Sequence, residues 1–153
     1  KLNAWVHQRS CVVPLGLPFN VTQYATLLKL IANVTGLEAG TLDWSIKDAH
    51  IYVNQVDGIK EQISNGNILE SVDNLSKKDL LGIKREIELL KEKDENIEKT
   101  LKAIDISLAD QKPYLWVNPE IDNFYNYDNS KQLKDIKVKE YKHMGKISFP
   151  IAQ

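Results

Sequence analysis

From Leu2 to Arg9 the side chains alternate, with Leu2, Ala4, Val6 and Gln8 on one side and Asn3, Trp5, His7 and Arg9 on the other. A period of two predicts a strand. The next stretch, Cys11 to Phe19, is apolar but contains two prolines and a glycine. It reads as a broken strand or a loop that is buried or faces a ligand. Tyr24, Leu27, Leu28 and Ile31 then follow helical spacing, with Pro18 ahead of the run and Gly36 behind it. Those start and stop signals predict a helix over 21–35. Leu30 and Val34 widen its apolar arc, as in a buried helix. Leu42, Trp44 and Ile46 alternate with Thr41, Asp43 and Ser45, predicting a second strand. Ala49, Ile51 and Val53 alternate with His50, Tyr52 and Asn54, predicting a third. Val56, Ile59 and Ile63 predict a helix starting near Asn54.

Residues 66–111 differ in character. Between Lys77 and Lys102 most positions are charged and none is aromatic. Ile83, Ile87, Leu90, Ile97, Leu101, Ile104 and Leu108 fall on a heptad seam that Asp94 interrupts. The pattern predicts one long helix or a helical hairpin turning near Asp94, and a coiled-coil contact to another chain is the alternative use of the seam. From Pro113 the chain returns to strand-like aromatic sequence: Tyr114 to Val117, Phe124 to Tyr127, then Ile136, Val138, Tyr141, Ile147 and Phe149. The expected class is α+β, a mixed sheet packed with a buried helix, with a helical insertion over 66–111.

Composition narrows the class. The 153 residues, 42% hydrophobic and 27% charged, suffice for one domain with its own core and exclude a disordered chain. A net charge of -1 gives no support for a nucleic-acid or membrane-surface partner. No apolar run approaches the ~18 residues of a membrane helix, and no signal peptide opens the chain. A cytoplasmic protein is the expectation. The single cysteine, Cys11, excludes an intrachain disulfide and a multi-cysteine zinc site. Asn-x-Ser/Thr triplets at Asn20, Asn33 and Asn74 read as chance matches. The chain starts at Lys1 and its only methionine is Met144, which suggests a fragment or a processed product.

Four groups of residues could carry chemistry. Arg9-Ser10 at a strand end offers a guanidinium fork and a hydroxyl, both suited to phosphate oxygens, or else a surface arginine beside a capping serine. Asn20 suits a helix N-cap, or could read the edge of uracil with adjacent donor and acceptor groups. His50 and Tyr52, two apart on a predicted strand, share one face and could meet a sugar hydroxyl, or form a half-buried aromatic pair. A Cys11–histidine nucleophile has no support from spacing.

Taken together, Gln8-Arg-Ser10, Pro14-Leu-Gly-Leu-Pro-Phe-Asn20, Gln23-Tyr24 and Asp48-Ala-His-Ile-Tyr-Val-Asn54 resemble the C-terminal part of the thymidylate synthase family. Leu115-Trp-Val-Asn-Pro-Glu120, Tyr141-Lys-His143 and Pro150-Ile-Ala152 extend the resemblance, which omits 66–111. It implies conversion of dUMP to dTMP with methylenetetrahydrofolate as co-substrate, no metal, and a homodimer whose sheets pack face to face and whose sites borrow arginines from the partner. By position, Arg9 and Ser10 would hold the dUMP phosphate, Asn20 the uracil, and His50 and Tyr52 the ribose hydroxyl. Leu15, Gly16 and Phe19 would line the folate side, and Ala152 would close over the pterin.

The family's nucleophilic cysteine lies in a Pro-Cys motif expected upstream of Lys1, so no catalytic residue is expected in this chain. Val12 stands where the family has Asp, and losing a hydrogen bond to a charged group costs roughly 1.5–3 kcal/mol of folate affinity. Gln55 and Gln153 are milder departures. The alternatives are an inactive nucleotide-binding or dimerising module of the same fold, a dCMP hydroxymethylase, in which Asp replaces Asn20, and an interaction role for 66–111.

Overall fold

The computed structural model describes residues 1–109, 112–130 and 134–151. They form two units, Lys1–Gln55 with Pro113–Lys139, and Val56–Lys112 with Glu140–Ile151. The class is α+β, as the alternating and helical periodicities predict.

The first unit begins with β1 (Leu2–Val12), which pairs in parallel with β2 (Ala39–His50). A parallel pair needs a crossover, and α1 (Gly16–Val34) supplies it. Register places Ala4 beside Leu42, Val6 beside Trp44, Gln8 beside Ile46 and Ser10 beside Asp48. The Leu2, Ala4, Val6 and Gln8 side is half-buried and the Asn3, Trp5, His7 and Arg9 side is exposed, as the alternation requires.

Three sequence expectations change here. The stretch from Cys11 to Phe19 is not a loop: β1 runs to Val12, a short turn follows, and α1 starts at Gly16 rather than at Val21. Pro18 therefore lies in the first helical turn, where backbone N–H groups have no intrahelical partner and proline loses nothing. The start of α1 packs on the end of β1, since a Cβ at Gly16 would stand 3.7 Å from Cys11 Sγ.

Second, α1 is not buried all round. Leu28, Leu30 and Ala32 are buried, whereas Tyr24, Leu27 and Ile31 are exposed. The helix packs on β1, β2 and β3, and these cover only part of its apolar arc. It ends in a Schellman motif, with Gly36 N–H donating to Asn33 O (3.2 Å) and Leu37 N–H to Ala32 O (2.9 Å). Gly36 has φ +66, the left-handed conformation this stop requires.

Third, the second and third predicted strands are one, because β2 runs on to His50, and Val53–Gln55 forms a 3₁₀ turn. Lys47, Asp48 and Ala49 are all exposed. Ladder bonding to β1 continues through them although the burial rhythm does not.

The unit is completed by β3 (Tyr114–Val117), antiparallel to β4 (Ile136–Lys139). The parallel and antiparallel pairings thus occur in two separate sheets. Phe124–Asn126 is a 3₁₀ turn rather than a strand, capped by Asn123, whose side chain accepts from Tyr125 N–H. The amide of Asn33 on α1 donates to Tyr127 Oη (2.8 Å), Ile121 O (3.0 Å) and Asn118 O (3.3 Å). That amide is engaged internally.

The second unit contains α2 (Val56–Asp73), α3 (Lys77–Glu88) and α4 (Glu95–Ser107). Its core joins Val72, Leu80, Ala103, Ile104 and Met144, with Ile68, Ile83, Ile87 and Leu108 packed against them. Four seam positions, Ile83, Ile87, Ile104 and Leu108, are therefore used inside the unit. The chain takes the hairpin alternative. Asp94, the break in the seam, is the N-cap of α4 and accepts from Ile97 N–H (2.8 Å). Position 66 falls inside α2. Tyr141, Ile147 and Phe149 form no strand. Among the described residues, no helix is long and apolar enough to cross a membrane.

Candidate functional site

The parallel ladder sets the geometry. Ser10 on β1 and Asp48 on β2 are register partners, and Val12 partners His50. Period two puts Asp48 and His50 on one face of β2. The Ser10 hydroxyl donates to Asp48 Oδ2 at 3.3 Å. His50 Nδ1 lies 3.4 Å from the same oxygen. That contact has the distance of an ion pair without the alignment of a hydrogen bond, and among the described residues the buried Nδ1 has no hydrogen-bond partner. Beyond the end of β2, the Tyr52 ring meets His50 edge-on, with centroids 5.2 Å apart. Ser10, Asp48, His50 and Tyr52 thus form one connected group.

Asp48 belongs to the Asp-x-His-x-Tyr motif, but sequence reasoning gave it no role. It fell between the second and third predicted strands, and the single strand β2 places it beside His50. Its link to Ser10, 38 residues away, depends on strand register, which the sequence does not display.

Among the described residues, no side-chain hydrogen bond, ion pair or ring contact joins Arg9 or Asn20 to this group. Arg9 alternates with Ser10 and lies towards His7 and Lys47, lining a recess of ≈ 350 Å³ with Gln8, Ser45 and Ile46. In that recess His7 Nδ1 is 2.7 Å from Ser45 Oγ. Among the described residues the Arg9 guanidinium has no carboxylate partner, so its donors are available to an anion. Asn20 is not the N-cap expected as its structural role. Leu15 holds the cap position without a side-chain bond, and Asn20 lies in the second turn of α1.

The residues expected on the folate side divide. Leu15 and Gly16 lie at the start of α1 beside Cys11, and the Phe19 ring is 73% exposed, an open aromatic face. Val12 is half-buried and offers no charged acceptor. Ala152 lies outside the described residues. Cys11 is 1% exposed, so it is a packed core side chain and not an accessible nucleophile. Among the described residues no cluster of three or more His, Cys, Asp or Glu is placed to hold a metal.

The thymidylate synthase family model matches residues 1–71, which contain this whole group. The chain is thymidylate synthase-like. A thymidylate synthase from Clostridium beijerinckii is 35% identical over 152 residues, covering 99% of this chain and 41% of that protein. One from Bacillus subtilis subsp. natto is 31% identical, covering 99% of this chain and 38% of that protein. Among solved structures, thermostable thymidylate synthase A from Bacillus subtilis matches with a TM-score of 0.59 and 28% identity, over 95% of this chain and 36% of that one. The chain spans about two fifths of the length of these curated relatives.

Proposed function

We propose that this chain forms part of the nucleotide-binding wall of an enzyme that converts dUMP to dTMP by reductive methylation. The observation that carries the reading is Asp48 joining Ser10 to His50, with Tyr52 against the imidazole. This group offers a hydroxyl and two rings to a sugar phosphate, and Arg9 adds an uncommitted guanidinium at the same strand end. Asn20 reads the pyrimidine edge and favours uracil over cytosine. Methylenetetrahydrofolate, the co-substrate, supplies the one-carbon unit and the reducing equivalents when bound. Leu15, Gly16 and Phe19 give it an apolar and aromatic surface, and Ala152 is proposed to close over it. No residue here is assigned as the catalytic nucleophile, because Cys11 is buried. That cysteine, and the further phosphate-binding arginines, are proposed to come from outside these residues, the arginines from a second subunit of a homodimer.

The test is calorimetric titration of dUMP and dCMP, with Arg9→Ala and Asn20→Asp variants. The reading expects weak dUMP binding by the chain alone, loss of it in Arg9→Ala, and a shift towards dCMP in Asn20→Asp. A wild-type preference for dCMP would overturn the uracil assignment in favour of a dCMP hydroxymethylase.

Val12 favours a second reading, a nucleotide-binding module of the same fold without catalysis. The valine cannot give the charge-assisted bond to a pterin that an aspartate gives. Val12→Asp separates the two: gain of folate binding in the presence of dUMP, from none in the wild type, supports the module.

A further inference from the structure

Among the described residues, Asp48 is the one group in polar contact with both Ser10 and His50. We propose that Asp48 is a positioning residue that fixes the His50 tautomer and holds the Ser10 hydroxyl, so coupling the sugar and phosphate halves of the site. The ligand side of this inference rests on the dUMP reading; the tautomer does not.

Among the described residues, His50 Nδ1 makes no hydrogen bond, and its ion-pair-distance neighbour is Asp48 Oδ2 at 3.4 Å. An ionised carboxylate only accepts. A lone pair on Nδ1 would face that negative oxygen and be repelled, whereas an N–H is attracted. The neutral ring therefore carries its proton on Nδ1 and presents the Nε2 lone pair elsewhere. A histidine oriented this way accepts from a hydroxyl instead of donating to it, which suits the 3′-hydroxyl of a nucleotide. Tyr52 packs edge-on against the same ring, with centroids 5.2 Å apart.

Ser10 follows the same logic. Its single proton points to Asp48 Oδ2, so without ligand its oxygen offers only lone pairs. A phosphate oxygen needs a donor. The hydroxyl must turn from Asp48 to phosphate when nucleotide binds, and Asp48 is then left to His50 alone. One carboxylate oxygen thus opposes phosphate capture while it prepares the sugar contact. Its negative charge beside an incoming phosphate adds to the opposition.

The test compares wild type with Asp48→Asn and Asp48→Glu. Long-range proton–nitrogen NMR on histidine-labelled protein, at a pH where the ring is neutral, reads the tautomer without any ligand. Wild type is expected to show Nδ1–H, Asp48→Asn to lose that preference because an amide can donate to Nδ1, and Asp48→Glu to keep it. Titration with deoxyuridine and with inorganic phosphate then reads the two halves. In Asp48→Asn, deoxyuridine binding should weaken on the order of tenfold while phosphate binding tightens, opposite signs that a simple folding defect does not produce. Wild type showing Nε2–H, or both ligands moving in the same direction, overturns the proposal. If neither ligand nor dUMP binds wild type while the tautomer changes as stated, the dUMP reading and the coupling fall, and the orientation of His50 by Asp48 stands.

Discussion

Gly58 on α2 lies directly under the ring of Phe149: a Cβ at Gly58 would stand 2.6 Å from Cε1 of that ring. No side-chain rotation of residue 58 avoids this, because Cβ is fixed by the backbone. The glycine leaves the room that the Phe149 ring occupies on the helix.

Gly58→Ala should therefore free the C-terminal segment even though alanine favours helix by about 1 kcal/mol over glycine. Timed carboxypeptidase digestion checks this. Faster release of the C-terminal residues than in wild type, matched by Phe149→Ala, is expected. Unchanged digestion with a raised melting temperature would show that the ring shifts at no cost.

Ile104 is fully buried at the centre of the second unit, packed with Val72, Leu80, Ala103 and Met144. Ile104→Ala should lower stability by ~2–5 kcal/mol through lost burial and a residual cavity. Urea titration followed by circular dichroism measures it, and a loss below the cost of an exposed substitution would contradict this core.

The two caps of the helical hairpin give a smaller and separate prediction. Asp94 caps α4, and Ser76 caps α3 while donating to Asp79 Oδ2 at 2.6 Å. Asp94→Ala and Ser76→Ala should each cost ~1 kcal/mol, and Asp94→Asn much less. The caps lie on different helices, so near-additivity in the double variant is expected.

The ion pair of Lys99 with Glu95, at 2.8 Å, links α4 to pH. The Glu95 carboxyl is held below its ordinary 4.5, first by the hydrogen bond from Lys99 and then by its charge. The same bond to Glu95 raises Lys99 above 10.5. Because the folded carboxyl is the stronger acid, its contribution is present above pH ~4.5 and lost as pH falls through the lower folded value. The lysine's contribution is present below pH ~10.5 and lost as pH rises through its higher folded value. Lys99→Met should therefore be less stable than wild type at neutral pH, and the gap should close on both sides. Added salt should narrow it throughout, since both groups meet solvent.

Asn33 makes the last prediction. Its amide holds three acceptors in the loop after β3. Asn33→Ala should cost about 1–3 kcal/mol by stranding them, and near-ultraviolet circular dichroism should report loosened tyrosines around Tyr127. Asn33→Asp should be no better, as a carboxylate cannot donate.

The sequence by itself determined the local elements and the residue types of the site. Alternation gave β1 because one side of that strand packs and the other does not. Gly36 marked the end of α1 because the stop needs a positive φ. Asp94 marked the hairpin because a carboxylate can satisfy the free N–H groups of a new helix. The motifs from Gln8 to Asn20 and from Asp48 to Asn54 pointed to the family before any coordinate. Tertiary structure decided what depends on pairing between distant segments: that β2 runs unbroken to His50, that α1 starts at Gly16 against Cys11, and that Asp48 meets Ser10 across the ladder. Periodicity records which side of an element is covered. It carries no record of register, and register is what brings one carboxylate oxygen to both a serine and a histidine.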